Sequence, residues 1–395
     1  SGVAVYRRWR WGLVGALALL VLAPTSSFVP IVNDVGAERR FYLPLGVLVA
    51  GLVVGGDALS GRWSKGRRVG LVLVGAVALV LGWSTQMRNR DYASAIAIWQ
   101  SAVTAVADNP RAAYNLANRL KETGDAQQAM VYYRQALTLN PDEVGAHNNL
   151  SQVLVSVGAA ATALDHYHRA LELNPNSANV HVNLGLALEW LDRLPEALSH
   201  YRRAVELDPA STWARYNLGV ALEEDGQPGE AITHYRWALE IDPKMGKAHY
   251  RLGLVYAAQG RLSNAAFHLR QALVQTPDHA AAHLHLGQQL SQLDSTESGI
   301  AHYRRAVELD PDLVEAHYYL GTELIQAGQT SAALPHLHRA VELAPDLAAA
   351  RNNLGIALQR AGRRDEAVIQ FRRALALRPD YAAARDNLAA TLSQQ

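Results

Sequence analysis

The chain has 395 residues, enough for two or three domains with a sizeable core, and its lack of cysteine excludes disulfides, thiolate metal sites and cysteine nucleophiles. Its net charge of +1 hides an asymmetry: residues 1–90 hold 11 Lys/Arg against 3 Asp/Glu, net +8, and residues 91–395 hold 26 against 33, net −7. Nucleic-acid binding needs a basic face on the folded domain, and the larger part of this chain is acidic, so no nucleic-acid partner is expected.

Three apolar runs fill the first ninety residues, at about 11–32, 41–60 and 69–86. A spanning helix needs about 20 predominantly apolar residues. The second run meets this alone and the others with their flanks; Pro44 falls in the first turn of its run, where a missing N–H does no harm. The basic start and short apolar core of the first run also fit a signal peptide, but two more runs follow, and runs apolar on every side are not helices of a soluble core. Arg7, Arg8 and Arg10 precede the first run, and Arg62, Lys65, Arg67 and Arg68 lie between the second and third. Both clusters belong on the cytoplasmic side. Three crossings then place everything after Trp83 outside the cytoplasm. The expectation is an integral membrane region over residues 1–90 in a bacterial inner membrane, with residues 91–395 on the periplasmic side.

After residue 90 the chain is periodic. Prolines recur every 34 residues from Pro141 to Pro379, leucines from Leu116 to Leu388, and alanines from Ala136 to Ala374. A small residue follows each framing leucine, as at Gly185, Gly219 and Gly355. In "VNLGLALEWLDRLPEALSHYRRAVELDP" two amphipathic stretches flank a short polar turn, with Leu184, Ala197, Tyr201 and Ala204 as the packing positions. Pro209 reads as a helix breaker that also opens the next helix. This pattern resembles the tetratricopeptide repeat (TPR) family. The resemblance implies an all-α solenoid, a right-handed superhelix, because no unit buries its apolar face alone. It gives eight full repeats over about residues 110–381, preceded by a half-repeat with Ala95, Trp99 and Ala102 in phase and followed by a capping helix.

The residue before each framing leucine is Asn115, Asn149, Asn183, Asn217, Arg251, His285, Tyr319, Asn353 and Asn387. Asparagine costs a helix interior about 0.6 kcal/mol relative to alanine, so its recurrence asks for a cause. One residue is a rotation of about 100° on a helix, which turns this position away from the leucine that packs inward. In the TPR family it faces the concave groove. The series resembles the asparagine ladder of the superhelix in O-linked N-acetylglucosamine transferases, and the resemblance implies capture of an extended protein or peptide ligand. An amide offers a donor and an acceptor to any peptide backbone. Simple duplication of a favourable repeat is the competing explanation. Tyr114, Tyr216, Tyr250 and Tyr318, one residue earlier, add stacking surface.

All 15 histidines lie in the repeats. His147, His181, His249, His283 and His317 share one phase, and His166, His200, His234, His268, His302 and His336 another. A metal needs three or four ligands at one point, and these are spread along the repeat, so no metal site and no cofactor are expected. In-phase acidic residues such as Glu172, Glu206 and Glu308 read as a solvated face.

The outward connector, "SSFVPIVNDVGAERRFYLPL", remains. Its "AERRFYLP" core, followed by two apolar runs and then the repeats, looks like the C-terminal membrane part of the transmembrane and TPR repeat O-mannosyltransferases and their bacterial relatives. By that resemblance Glu38, Arg39, Arg40 and Tyr42 match the family's motif, and an arginine there contacts the phosphate of a polyprenyl-phosphate sugar donor. Such enzymes carry many more spans and an acidic residue in an early loop, which this sequence does not contain. The expectation is therefore an N-terminally truncated chain, itself inactive, forming the acceptor-handling end of such an enzyme. The alternative is a non-enzymatic, membrane-anchored TPR scaffold.

Overall fold

The computed structural model describes residues 95–393. The three apolar runs, the connector residues Glu38, Arg39, Arg40 and Tyr42, and residues 91–94 of the leading half-repeat lie outside them. Among the described residues there are 18 helices and no strand. None of these helices is long and apolar enough to cross a membrane.

The chain divides into two compact units, Ser1–Pro175 and Asn176–Gln395. The first contains α1 (Ala95–Ala105), α2 (Pro110–Glu122), α3 (Ala126–Leu139), α4 (Val144–Ser156) and α5 (Ala160–Leu173). Consecutive helices pack on one another, so α2–α3 and α4–α5 are helical hairpins, with α1 laid against α2. Two N-termini here are capped by side chains: Asn109 accepts from the Ala112 N–H at 3.0 Å, and Asp125 from the Gln128 N–H at 3.1 Å. Pro110 opens α2, where a proline costs no hydrogen bond.

The second unit continues the pattern with α6 (Ala178–Glu189), α7 (Leu194–Leu207), α8 (Thr212–Glu224), α9 (Pro228–Ile241), α10 (Gly246–Ala258), α11 (Leu262–Gln275), α12 (Ala280–Gln292) and α13 (Thr296–Leu309). It ends with α14 (Val314–Gln326), α15 (Thr330–Leu343), α16 (Ala348–Arg360), α17 (Arg364–Leu377) and the closing helix α18 (Ala382–Leu392). Hairpins α6–α7, α8–α9, α10–α11, α12–α13, α14–α15 and α16–α17 stack in chain order, and the first helices of most neighbours also meet, as α6 does α8 and α12 does α14.

The hairpin core is one contact repeated. Tyr133, Tyr167, Tyr201, Tyr235, Tyr303 and Phe371 are fully buried on the second helices. In the second unit most of them lie over a glycine of the first helix. A Cβ on Gly219 would stand 2.6 Å from the Tyr235 ring, and one on Gly355 2.5 Å from Phe371. Dispersion and apolar burial hold the hairpins closed, in the second unit at a separation only glycine permits, while Ala117 and Ser151 take that place in α2–α3 and α4–α5. The turn inside most hairpins places a glycine at positive φ, from Gly124 to Gly362; Asp192 (φ 56°) and Asp294 (φ 57°) occupy that place in α6–α7 and α12–α13.

The framing prolines do not open the following helices. Pro209 lies in the link between α7 and α8, after Asp208, whose backbone (φ −134°, ψ 84°) has left the helical region, and Ser211 caps α8 by accepting from the Ala214 N–H at 3.3 Å. A residue before proline is pushed out of the helical region, so the proline terminates α7 and leaves initiation to the serine. Its carbonyl has a further use, described below.

Candidate functional site

A cleft of about 460 Å³ opens in the first unit, lined among others by Trp99, Arg111, Asn115, Asn118, Lys121 and Asn149. Helices α1, α2 and α4 present these side chains, and Asn115 and Asn149 are successive members of the asparagine series. Cations outnumber carboxylates on its wall: Arg119 pairs with Glu122 at 2.6 Å, leaving Arg111 and Lys121 to set the sign. Burial lowers the Lys121 ammonium from its ordinary range, and its Nζ donates to Gln152 Oε1 at 3.0 Å.

The series residues are half-buried, except Asn217, which is buried. Several of their amides do something the sequence did not suggest. Asn149 Nδ2 donates to Asn118 Oδ1 at 2.9 Å and reaches the Tyr114 hydroxyl at 3.3 Å, both on the preceding hairpin. Asn118 Oδ1 in turn accepts from the Tyr133 hydroxyl at 2.6 Å. Asn353 Nδ2 donates to Thr322 Oγ1 at 2.9 Å, and Asn387 Nδ2 to Asn352 Oδ1 at 3.0 Å, again one repeat back. These amides tie neighbouring hairpins together, and their oxygens face Asn148 and Asn352: Asn148 Nδ2 donates to Asn149 Oδ1, and Asn352 Nδ2 to Asn353 Oδ1, each at 3.2 Å. Asn183 and Asn115 occupy the same position on α6 and α2.

Where the series changes residue type, the neighbours change with it. Arg251 stands 3.8 Å from Glu223, whose carboxylate also accepts from the Tyr235 hydroxyl. His285 Nδ1 bonds Gln288 Oε1 at 3.0 Å, and its ring lies 6.2 Å from Tyr250. Tyr319 stacks on the core residue Tyr303 at 5.8 Å and so belongs partly to the packing. Tyr114, Tyr216, Tyr250 and Tyr318 are half-buried; Tyr216 meets the exposed Trp213 edge-on at 5.9 Å, with Lys247 over the indole at 5.2 Å.

The two histidine phases, read from sequence as a dispersed set, are brought together in pairs. Each pair bridges the helices of one hairpin through Nδ1···Nδ1: His147–His166 at 3.0 Å, His181–His200, His249–His268 and His283–His302 at 2.9 Å, and His317–His336 at 3.2 Å. The missed signal was their constant separation of 19 residues. Among the described residues no group of three or more His, Asp or Glu is placed to hold a metal ion.

Comparison with known proteins follows the same boundaries. Family models described as Tetratricopeptide repeat match residues 110–143, 176–244, 216–273, 250–314 and 318–382, and one described as TPR repeat matches residues 152–190. A search of the curated proteins finds no match. Among solved structures, PilF of Pseudomonas aeruginosa is 19% identical over 53% of this chain and 96% of its own, with a TM-score of 0.50, and supports the fold. YrrB, described as a TPR protein with an unusual peptide-binding site, is 28% identical over 47% of this chain and 95% of its own, with a TM-score of 0.38. The C-terminal part of a TPR repeat-containing protein from Cytophaga hutchinsonii is 17% identical over 60% of this chain and 98% of its own, with a TM-score of 0.49. From the helical hairpins, the glycine–aromatic contact and the family match over most of residues 110–382, the chain belongs to the tetratricopeptide repeat family.

Proposed function

We propose that the repeats bind an extended polypeptide along the face carrying the asparagine series, and that residues 1–90 anchor them in a membrane on its extracytoplasmic side. The observation that supports the binding reading is the polar cleft at Asn115, Asn118 and Asn149. Amide donors and acceptors recurring there at repeat spacing suit a main chain of any sequence. On this reading the cleft's cationic wall at Arg111 and Lys121 favours segments carrying acidic side chains. The parent activity we propose is handling of the acceptor polypeptide for a polyprenyl-phosphate-sugar-dependent O-mannosyltransferase-like enzyme, with Glu38, Arg39, Arg40 and Tyr42 near the donor phosphate. A non-enzymatic anchored scaffold would use the same cleft.

The binding reading is tested with a pool of labelled, unstructured peptides of mixed sequence, measured by fluorescence anisotropy. Replacing Asn115, Asn118 and Asn149 by alanine removes hydrogen bonds of about 1 kcal/mol each, so affinity falls at least tenfold while helical ellipticity stays at the parent value. Unchanged affinity in a folded variant would sink the reading and leave duplication and hairpin tying as the reasons for the asparagines.

A further inference from the structure

The histidine pairs have a fixed proton arrangement. His147, His249, His283 and His317 each place Nε2 on the carbonyl of the framing proline six residues earlier, at 2.9, 3.1, 3.0 and 3.1 Å. Arg215 and Arg351 stand in the same phase, and each sends Nε to its own proline carbonyl, Pro209 or Pro345, at 2.7 Å. A carbonyl only accepts and a guanidinium only donates, so the position requires a donor and the histidine there carries its proton on Nε2. Its Nδ1 is then a lone pair. The paired second-helix histidine must donate Nδ1–H to it, leaving its own Nε2 as the group that takes up a proton.

A first proton on that Nε2 leaves the Nδ1–H···Nδ1 bond intact, giving an imidazolium that still donates across the hairpin, and its cost is the burial of the charge. A second proton has only the first-helix Nδ1 to occupy. There it sets two N–H groups and two positive charges face to face at about 3 Å, the separation the pairs already have. We propose that these pairs act as a proton-sensitive latch inside the repeats: neutral they hold five hairpins closed, the first buried charge weakens the closure, and a second proton breaks the Nδ1–H···Nδ1 bond, so that mild acid loosens the repeats.

The surrounding groups push the same way. His166 faces His147 and Arg134 of the preceding hairpin, with Asp165 opposing; His268 faces His249 and Arg236, with Tyr256 stacked on its ring; His302 faces His283 and Arg270; His336 faces His317 and Arg304. His317 has Arg339 and Asp312 beside it. Burial, then the paired ring, then the arginine hold these second-helix histidines below the ordinary range, His268 and His302 at about 4. A base held lower in the folded than in the unfolded chain contributes stability that is complete above the unfolded value near 6.5 and is lost as pH falls toward the folded value. Glu189 runs oppositely: burial raises its carboxyl to about 7, Glu224 adding to the effect, so its penalty is relieved on acidification.

The protein supplies its own proton-insensitive version, Arg351 Nη1 donating to Gln370 Oε1 at 3.3 Å in α16–α17. The test compares the full chain with a variant in which all five pairs become Arg–Gln: His147, His181, His249, His283 and His317→Arg, with His166, His200, His268, His302 and His336→Gln. Thermal unfolding is followed by helical ellipticity at pH 7.5 and pH 5.0, a window above most carboxylate titration. The parent midpoint falls by about 10 °C between the two, and the variant's by less than half as much. Equal falls overturn the latch. A second readout needs no substitution: nitrogen-15 imidazole spectra of the parent at pH 7.5 show five Nδ1–H rings matched to five Nε2–H rings, and Nε2–H tautomers throughout overturn it too.

Discussion

Asp294 is held at φ 57°, in the turn place where six other hairpins carry glycine. A side chain in this left-handed region costs about 1 kcal/mol that glycine avoids, although glycine returns part of it through unfolded-state entropy. No side-chain cap is made by Asp294 to either adjoining helix, since α12 ends by backbone bonds and α13 begins without a side-chain cap. Asp294→Gly is therefore expected to stabilise the chain by about 0.5–1 kcal/mol, read as a higher urea midpoint at unchanged slope. A lower midpoint would mean the aspartate makes a contact worth more than its strain. Gly219 presents the reverse case, where space and not φ decides: the Tyr235 ring already fills the place a methyl would take.

At the scale of helices, each hairpin is legible in sequence because its two apolar stripes, and the small residue set against a large apolar one, repeat at 34. What holds one hairpin to the next was less so. The ladder amide and its partner, Asn149 with Asn118 or Asn353 with Thr322, are 31 residues apart, so the partner is not in phase with the series itself. It varies from asparagine to threonine, and a search for identical recurring residues passes over it. The histidine pairs hid for the same reason: two phases considered one at a time never show the contact between them. The role of Pro209 was misread because a proline's missing N–H is evident in sequence, whereas the demand its carbonyl places on Arg215 appears only once the helices are set side by side. The inter-hairpin tie can be measured. A double-mutant cycle on Asn353→Ala and Thr322→Ala is expected to give a coupling of about 0.5–1.5 kcal/mol, since one neutral, half-buried hydrogen bond joins them. Additive effects would mean that the Asn353–Thr322 bond does not tie the two hairpins.

For the molecule as a whole, the division of charge is the feature that repeat packing does not explain. Stacked hairpins need an apolar seam and polar flanks, and the described residues supply both with acidic excess; they place no demand on the eleven Lys/Arg of residues 1–90 or on where these fall between apolar runs. The proposed membrane anchoring would account for the placement, because the clusters at Arg7 to Arg10 and Arg62 to Arg68 would fall on one side if three runs crossed. Absence of cysteine makes this testable with single introduced thiols. Ser64→Cys sits in the basic loop between the second and third runs, and Ser263→Cys is exposed on α11. In intact cells a membrane-impermeant maleimide is expected to label the cysteine at 263 and to reach the one at 64 only after the membrane is opened. Labelling of the one at 64 alone before lysis would place the repeats on the cytoplasmic side, reversing the charge-derived orientation and removing an extracytoplasmic acceptor from the proposed role; labelling of neither would mean the third run does not cross. Labelling of both in intact cells would mean the second and third runs do not enclose a cytoplasmic loop, and the anchor would then rest on the first run alone.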